Sequence, residues 1–295
     1  DLLEHAGKGS YGVVYRGRDR RTSAPVAVKL VPVSGSRGGA SAADLAWDEL
    51  HREIAVLQSC RHPQVVAYLG SHLDAEHLWI VLEFCAGGSV RDVLSRTARA
   101  FTEAQVAYVC RQCLRGLSYL HGRGVVHRDV KCSNVLLTSR GEVKLADFGV
   151  TAQLTRTLTK ANTFVGTPHW MAPEVIAESS YDGKADVWAL AVSALEMAEL
   201  QPPRADVHAM RVIFLIAREP PPALSEPERW SPAFHAFLAA ALVKEPGGRA
   251  TAASLLGHHF LTLPAHATAT AAVMHTPIAE AAEVAEQARS VSSAA

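Results

Sequence analysis

His127-Arg128-Asp129-Val130-Lys131-Cys132-Ser133-Asn134, followed by Asp147-Phe148-Gly149, is the stretch on which the reading of this chain turns. It sets an acid, a lysine and an amide within six residues, and a second acid beside a glycine shortly after. A carboxylate can take or orient a hydroxyl proton, and a lysine can meet phosphate charge. An amide and a further carboxylate offer hard oxygen atoms to a divalent cation. The layout suits holding a hydroxyl nucleophile, a phosphate and a metal ion together.

Upstream, Gly7-Lys8-Gly9-Ser10-Tyr11-Gly12-Val13-Val14 is a G-x-G-x-x-G-x-V. Without Cβ atoms such a backbone can approach phosphates and aim amides at them. Alone the motif is weak, because a glycine-bearing hairpin accounts for it equally well. A dinucleotide site uses the same glycines at a strand-to-helix turn. Here Val13-Val14-Tyr15 continues as strand, which sets that alternative aside. Seventeen residues after Gly12, Val26-Ala27-Val28-Lys29 places a lysine inside an apolar strand. An ammonium there is costly unless paired. Glu53, four residues before Leu57 on a helical pattern, is a candidate partner, with Asp48 and Glu49 as competitors and a surface salt bridge as the plain alternative.

The chain has 295 residues, 48% of them apolar, which is enough for two domains or one two-lobed unit with a large core. Net charge is zero, so bulk charge gives no argument for a nucleic-acid or membrane-surface protein. The five cysteines are few, odd in number and scattered, as expected in a reducing compartment. Of these, Cys110 and Cys113 form a C-x-x-C inside a helical pattern without a partner pair, and they read as packing thiols rather than zinc ligands. His258-His259 reads as a helix end. No apolar run approaches the roughly 18 residues a membrane span needs. The longest, Val187 to Met197, is interrupted by Ser193 and Glu196 and reads as a buried helix. Because the chain starts without methionine at a strand-like Asp1-Leu2-Leu3-Glu4, an upstream portion is expected to be missing; a soluble, cytoplasmic protein is the expectation.

Short β-rich runs, Gly12 to Tyr15 and Val26 to Val31, precede a Ser/Gly/Ala stretch over Ser34 to Ala43 that reads as a flexible loop. Trp47, Leu50, Ile54 and Leu57 predict a helix ended by His62-Pro63, and Val65 to Leu69 and Leu78 to Leu82 read as strands. After Gly87-Gly88, helical patterns cover about 103–122, 183–200, 206–218 and 232–243. The expected organisation is α+β, with a β-rich small lobe carrying one main helix (1–82), a connector (83–86) and a mostly helical large lobe (87–261). Residues 262–295 are alanine-rich and read as flexible or marginally helical.

H-R-D-x-K-x-x-N and D-F-G, in order behind the glycine motif and the strand lysine, resemble the protein kinases over about residues 2 to 261. The resemblance implies an ATP- and Mg²⁺-dependent enzyme with the two-lobed kinase fold, acting on protein substrates. In it Asp129 is the catalytic base and Lys131 neutralises the migrating γ-phosphate. Lys29 bridges the α- and β-phosphates and pairs with Glu53, favoured by Glu-Ile-x-x-Leu then His-Pro. Asn134 and Asp147 are the metal ligands. Gly7, Lys8, Gly9, Ser10 and Gly12 cover the phosphates; Val14, Ala27 and Leu136 sandwich the adenine. Leu82 is the gatekeeper, Glu83 and Cys85 supply backbone hydrogen bonds, and Ser89 lies at the rim of the ATP site. Asp147 to Glu174 matches an activation segment in which a phosphate on Thr163 would meet Arg128, with Thr155, Thr157 and Thr159 as weaker candidates. Thr167 belongs to Gly166-Thr167-Pro168, Glu174 pairs with Arg249 to tie the segment down, and Asp186 braces the catalytic loop.

Lys131 and Thr167 mark the serine/threonine type, and Gly166-Thr167-Pro168-His169-Trp170-Met171-Ala172-Pro173-Glu174-Val175 resembles the sterile-twenty group. Leu78 to Cys85, Asp147 to Leu154 and Ala205 to Arg211 look like its Hippo-type germinal-centre kinases. The chain departs from the pattern at Ala191, where glycine is usual, at Ala6, and in the long loop from Ser34; no Hippo-type C-terminal dimerisation helix is visible. A pseudokinase scaffold predicts loss of Lys29, Asp129, Asn134 or Asp147, and all four are present. A kinase acting directly on MAP kinase kinases is the other alternative, against which the run Val150 to Leu154 argues. An upstream kinase or trans-autophosphorylation would supply the Thr163 phosphate.

Overall fold

Apolar alternation builds a sheet first. The structure, a computed structural model, describes residues 1–9, 12–32, 54–74, 76–147 and 168–293. Strands β1 (Leu2–Gly9), β2 (Gly12–Arg18), β3 (Pro25–Pro32), β4 (Tyr68–Leu73) and β5 (His77–Glu83) form an antiparallel sheet in the order β1-β2-β3-β5-β4. Central β3 is buried on both faces, through Val26 and Val28 on one and Lys29 and Val31 on the other. A strand covered on both sides reads as a continuous apolar run rather than an alternating one. Residues 54–59 are helical (α1), and Leu57 and Cys60 at that end are buried.

The strand expected at Val65 to Leu69 lies elsewhere. Val65 and Val66 are buried, but the Val65 N–H bonds to the His62 carbonyl and closes a turn; the strand runs Tyr68–Leu73. Burial of a short apolar run does not by itself fix its secondary structure.

Residues 86–146 and 168 onward form a second, mainly helical unit, while residues 1–85 and Asp147 belong to the first. The second unit opens with a three-stranded antiparallel sheet of β6 (Gly88–Ser89), β7 (Val135–Leu137) and β8 (Val143–Leu145), in that order. Helix α2 (Val90–Thr97) starts with a capping box, in which Ser89 accepts from the Asp92 N–H and Asp92 accepts from Ser89. Helix α3 (Glu103–Gly122) starts with another, Thr102 with Gln105, and a short helix α4 (Pro173–Ile176) follows. Helix α5 (Lys184–Glu199) is buried on all faces, as its near-continuous apolar sequence requires, with Trp188 and Ala191 at 1% and 0% exposure. Cys110 and Cys113 face the core of α3; burial pushes their thiols up, Cys113 to about 12, so neither is a reactive thiolate.

Two further expectations meet a specific geometry. His258 does not end a helix; it caps the start of a short one, His259–Thr262, accepting from the Phe260 N–H through Nδ1. The alanine-rich tail forms a helix over His275–Ser293. Arg111, itself buried, donates to the carbonyls of His266 and Ala269, Gln105 donates to that of Val273, and Met274 and Ala281 are buried. The first half of the tail is thus part of the second unit's packing.

Candidate active site

In the first unit, strand register places the expected nucleotide-facing residues on one side of the sheet. Val14 lies opposite Lys29 across β2 and β3, and Ala27 opposite Leu82 across β3 and β5. Directly paired residues share a face, and so do residues two apart. Val14, Ala27, Lys29 and Leu82 therefore line one surface. Lys29 is only 1% exposed, and its ammonium lies 2.7 Å from Asp147 Oδ1. That contact settles the charge of a lysine the core could not otherwise hold. Asp147 has φ +55, in the left-handed region that aspartate tolerates better than bulkier residues. The Glu83 N–H bonds to the Ala67 carbonyl, while its carboxylate accepts from the Ala67 N–H, which pins the strand end just before Cys85.

The glycine motif folds as a hairpin, with Gly9 opposite Gly12 and Lys8 opposite Val13. A Cβ built on Gly7 would meet nothing within 4 Å, and its φ is not left-handed. The protein's own packing does not demand glycine there. Gly87 differs, because a Cβ would lie 2.8 Å from the Leu137 carbonyl oxygen.

In the second unit Asp129, Lys131 and Asn134 come together. Lys131 Nζ lies 2.9 Å from Asp129 Oδ1, and Asn134 Nδ2 donates to both the carbonyl and Oδ2 of Asp129 at 2.8 Å. With its Nδ2 so engaged, Asn134 has its side-chain Oδ1 to offer a cation. The Ala146 N–H bonds back to the Asn134 carbonyl and ties this loop to the end of β8. Leu136 sits on β7 opposite Lys144, and Ser89 opposite Leu136.

The loop's shape rests on Asp186, 1% exposed at the start of α5. Its Oδ2 accepts from the His127 N–H and contacts His121 Nε2, and its Oδ1 accepts from the Arg128 N–H, each at 2.8 Å. Arg128 has φ +70, a conformation costing about 1–2 kcal/mol for a non-glycine residue, and these bonds offset it. The Arg128 guanidinium is exposed and lies 5.9 Å from the Tyr181 ring centre. Glu174 and Arg249 form a two-point ion pair at 2.6 and 2.9 Å.

Sequence reasoning did not find His121 as the third partner of Asp186. The signal was weak: a Cβ on Gly183 would strike the His121 ring at 2.5 Å, so the glycine before α5 marks where that ring packs. Nor did it find Arg91, whose guanidinium reaches Glu196 at 3.3 Å. Ser10, Glu53, Phe148, Gly149, Thr163 and Thr167, with the other candidate threonines and the run Val150 to Leu154, lie outside the described residues. Among the described residues, no group of three or more His, Cys, Asp or Glu side chains could hold a metal, and no helix is long and apolar enough to cross a membrane.

Comparison with known proteins gives the family. The model of the protein kinase domain matches residues 1–261. Serine/threonine-protein kinase 1 of Arabidopsis thaliana is 56% identical over 261 residues, 88% of this chain and 30% of its own length. Serine/threonine-protein kinase dst1 of Dictyostelium discoideum is 48% identical, over 88% of this chain and 34% of that protein. Serine/threonine-protein kinase hippo of Drosophila melanogaster is 47% identical, over 90% and 38%. The chain thus spans about a third of the length of the curated relatives it matches. With the Asp129 loop, the buried Lys29 and a family model running from the first strand to residue 261, this chain belongs to the protein kinase family.

Proposed function

We propose that this chain is an ATP-dependent serine/threonine protein kinase of the sterile-twenty, Hippo-like type, working in signalling in the cytoplasm. The observation that carries the reading is the Asp129, Lys131 and Asn134 cluster, a carboxylate held in place by a cation and an amide. Asp129 accepts the proton of a substrate serine or threonine hydroxyl as its oxygen bonds to the γ-phosphorus. The bond from that phosphorus to the β–γ bridging oxygen breaks, and ADP leaves. Lys131 balances the charge on the phosphoryl oxygens, and Lys29 binds the α- and β-phosphates. The glycine hairpin fits phosphates because Gly7 leaves room that the fold does not itself use. Asn134 in the second unit and Asp147 in the first each offer an oxygen of the kind Mg²⁺ takes. The ion needs only one or two protein oxygens when phosphates and water complete its shell. When bound, that ion would neutralise phosphate charge. Five buried cysteine thiols fit a reducing compartment.

The activation segment from Asp147 to Glu174 would gate this chemistry. A phosphate on Thr163, added by an upstream kinase or by a second copy, would pair with the exposed Arg128. The Glu174–Arg249 pair supports an anchored end to that segment.

The test is phosphate transfer from labelled ATP with Mg²⁺ to a generic basic protein, wild type beside Asp129→Asn, with mass spectrometry at Thr163. Transfer lost in the variant, with Thr163 phosphorylated in the wild type, is expected. A wild type that binds ATP and carries phosphate at Thr163 but transfers none would make the chain a binding scaffold.

A further inference from the structure

A cavity of about 310 Å³ in the second unit is lined by Lys131 together with Arg91, His169, Trp170, Glu196 and Gln201. Lys131 places it beside the catalytic base, so a substrate chain presenting a hydroxyl to Asp129 would run a neighbouring residue past it. Of the cavity's three fixed charges Lys131 is engaged by Asp129, so what that residue meets depends on whether it reaches Arg91 or Glu196. Glu196 is sealed, its side chain 2% exposed, whereas that of Arg91 is 35% exposed.

The carboxylate is also already satisfied. Arg91 Nη1 lies 3.3 Å from Glu196 Oε1, Trp170 Nε1 donates to Oε2 at 3.1 Å, and the Cys132 thiol lies against it. Arg91 is fixed in turn, donating to the Leu200 carbonyl at 2.8 Å and to Gln201 Oε1 at 3.3 Å. A guanidinium anchored on its inner edge loses little freedom when its outer edge binds a ligand. A cationic side chain entering the cavity would meet like charge first and find the acid behind it occupied.

We propose that this cavity is a substrate-side-chain subsite that selects an anionic residue, carboxylate or phosphate, close in sequence to the phosphorylated hydroxyl, and that Arg91 is its specificity-determining residue. The proposal rests on the kinase reading. It also makes Arg91 a masking group, since without its guanidinium Glu196 would face the cavity and the preference would turn to basic residues.

The experiment is a position-scanned peptide library phosphorylated by the full 295-residue chain and by its Arg91→Ala, Arg91→Gln and Arg91→Lys variants. At one position near the acceptor, the wild type should favour Asp or Glu over Lys or Arg by about three- to tenfold, the scale of a partly exposed charge pair. Arg91→Lys should keep that order and Arg91→Ala should reverse it; Arg91→Gln serves if the alanine variant does not fold. Phosphoserine above glutamate at that position would assign the anion as phosphate, and the opposite order as carboxylate. A wild-type preference for basic residues, or an order unchanged in both neutral variants, overturns the subsite while leaving the kinase standing. A wild type inactive on every peptide and on a generic basic protein overturns the kinase reading, and the subsite with it.

Discussion

Two buried ion pairs, one in each unit, are built to opposite plans. Arg249 is 0% exposed and meets Glu174 at two points, and its remaining donors reach the carbonyls of Val243, Lys184 and Lys244 while its plane lies 5.1 Å from the Trp188 ring centre. Lys29 is as deeply buried, but its partner Asp147 keeps 24% exposure and is held at a positive φ. The first pair is closed: every side of the cation is used, and no ligand could join without dismantling it. The second is open in that its acid keeps some exposure, as a pair must if its members are to exchange each other for phosphate and metal. Burial alone does not separate the two plans. The exposure of the acid and the strain in its backbone do.

The widest test of that contrast is to break the open pair. Asp147→Ala, or Lys29→Met, should lower phosphate transfer by at least about a thousandfold, the scale of losing preorganised charge stabilisation. For Lys29→Met stability should move by no more than about 1 kcal/mol, since methionine fills the lysine's place and Asp147 can be rehydrated. Asp147→Ala instead takes a partner from the buried Lys29 ammonium and should cost about 3–5 kcal/mol. Paired activity and urea-unfolding measurements decide it; a Lys29→Met protein that unfolds as readily as it loses activity would make Lys29 a structural residue.

Breaking the closed pair should do the reverse. Arg249→Met strands the buried Glu174 carboxylate, for a cost of about 3–5 kcal/mol and a fall in melting temperature on the order of 10 °C. Activity per folded molecule should fall far less than for Asp147→Ala. The double variant Glu174→Met with Arg249→Met should recover part of the loss, because no charge is then left unpaired. Recovery of none would show that Arg249's carbonyl contacts, rather than the ion pair, hold the turn.

How much of this was visible in the sequence follows from the same distinction. Groups that work as a local cluster, Asp129, Lys131 and Asn134, were readable because their spacing is set by one short loop. Lys29 was readable because a charge within an apolar strand is itself a signal. Glu174 with Arg249 lies 75 residues apart and came only through a resemblance. Partners given no motif were missed. His121 reaches Asp186 across 65 residues, and Arg91 reaches Glu196 across 105, from helix positions where a histidine or an arginine reads as ordinary surface. The strand at Tyr68–Leu73 was misplaced because Val65 and Val66 are buried in a turn, and periodicity cannot separate that from a strand. The packing of the tail is not legible in its own sequence because its anchors, above all the Arg111 contacts to the His266 and Ala269 carbonyls just before the helix, come from another helix.

Asp186 tests a middle case, a closed carboxylate whose purpose is to shape a catalytic loop. Asp186→Asn replaces an acceptor by an N–H₂ group facing either the His127 or the Arg128 N–H, at a cost of about 1–3 kcal/mol. Because those bonds hold Arg128 at φ +70 beside Asp129, activity should fall by about ten- to a hundredfold as the base loses its position. The fall should appear in kcat rather than KM. A change confined to stability would separate the loop's fold from its chemistry.

The smallest expected effect sharpens the contrast most, because Glu196 is sealed like Glu174 but faces a partly exposed guanidinium. Burial pushes its carboxyl above the ordinary value of 4.5, against the opposing pull of Cys132, Arg91 and Trp170. A group whose pKa is raised by folding adds stability that is fully present below its unfolded pKa and is lost as pH rises through the folded value. Glu196→Gln stays neutral throughout, so its stability should match the wild type's in acid and gain on it as pH rises from about 4 to about 7. Unfolding titrations of the two proteins across that range give the sign directly. A variant that falls behind as pH rises would mean that the Arg91 contact outweighs burial, which would place Glu196 with the closed pairs. A variant that gains would mark the carboxylate as one that the fold retains at a cost in stability, the behaviour of a group kept for what it does beside the cavity.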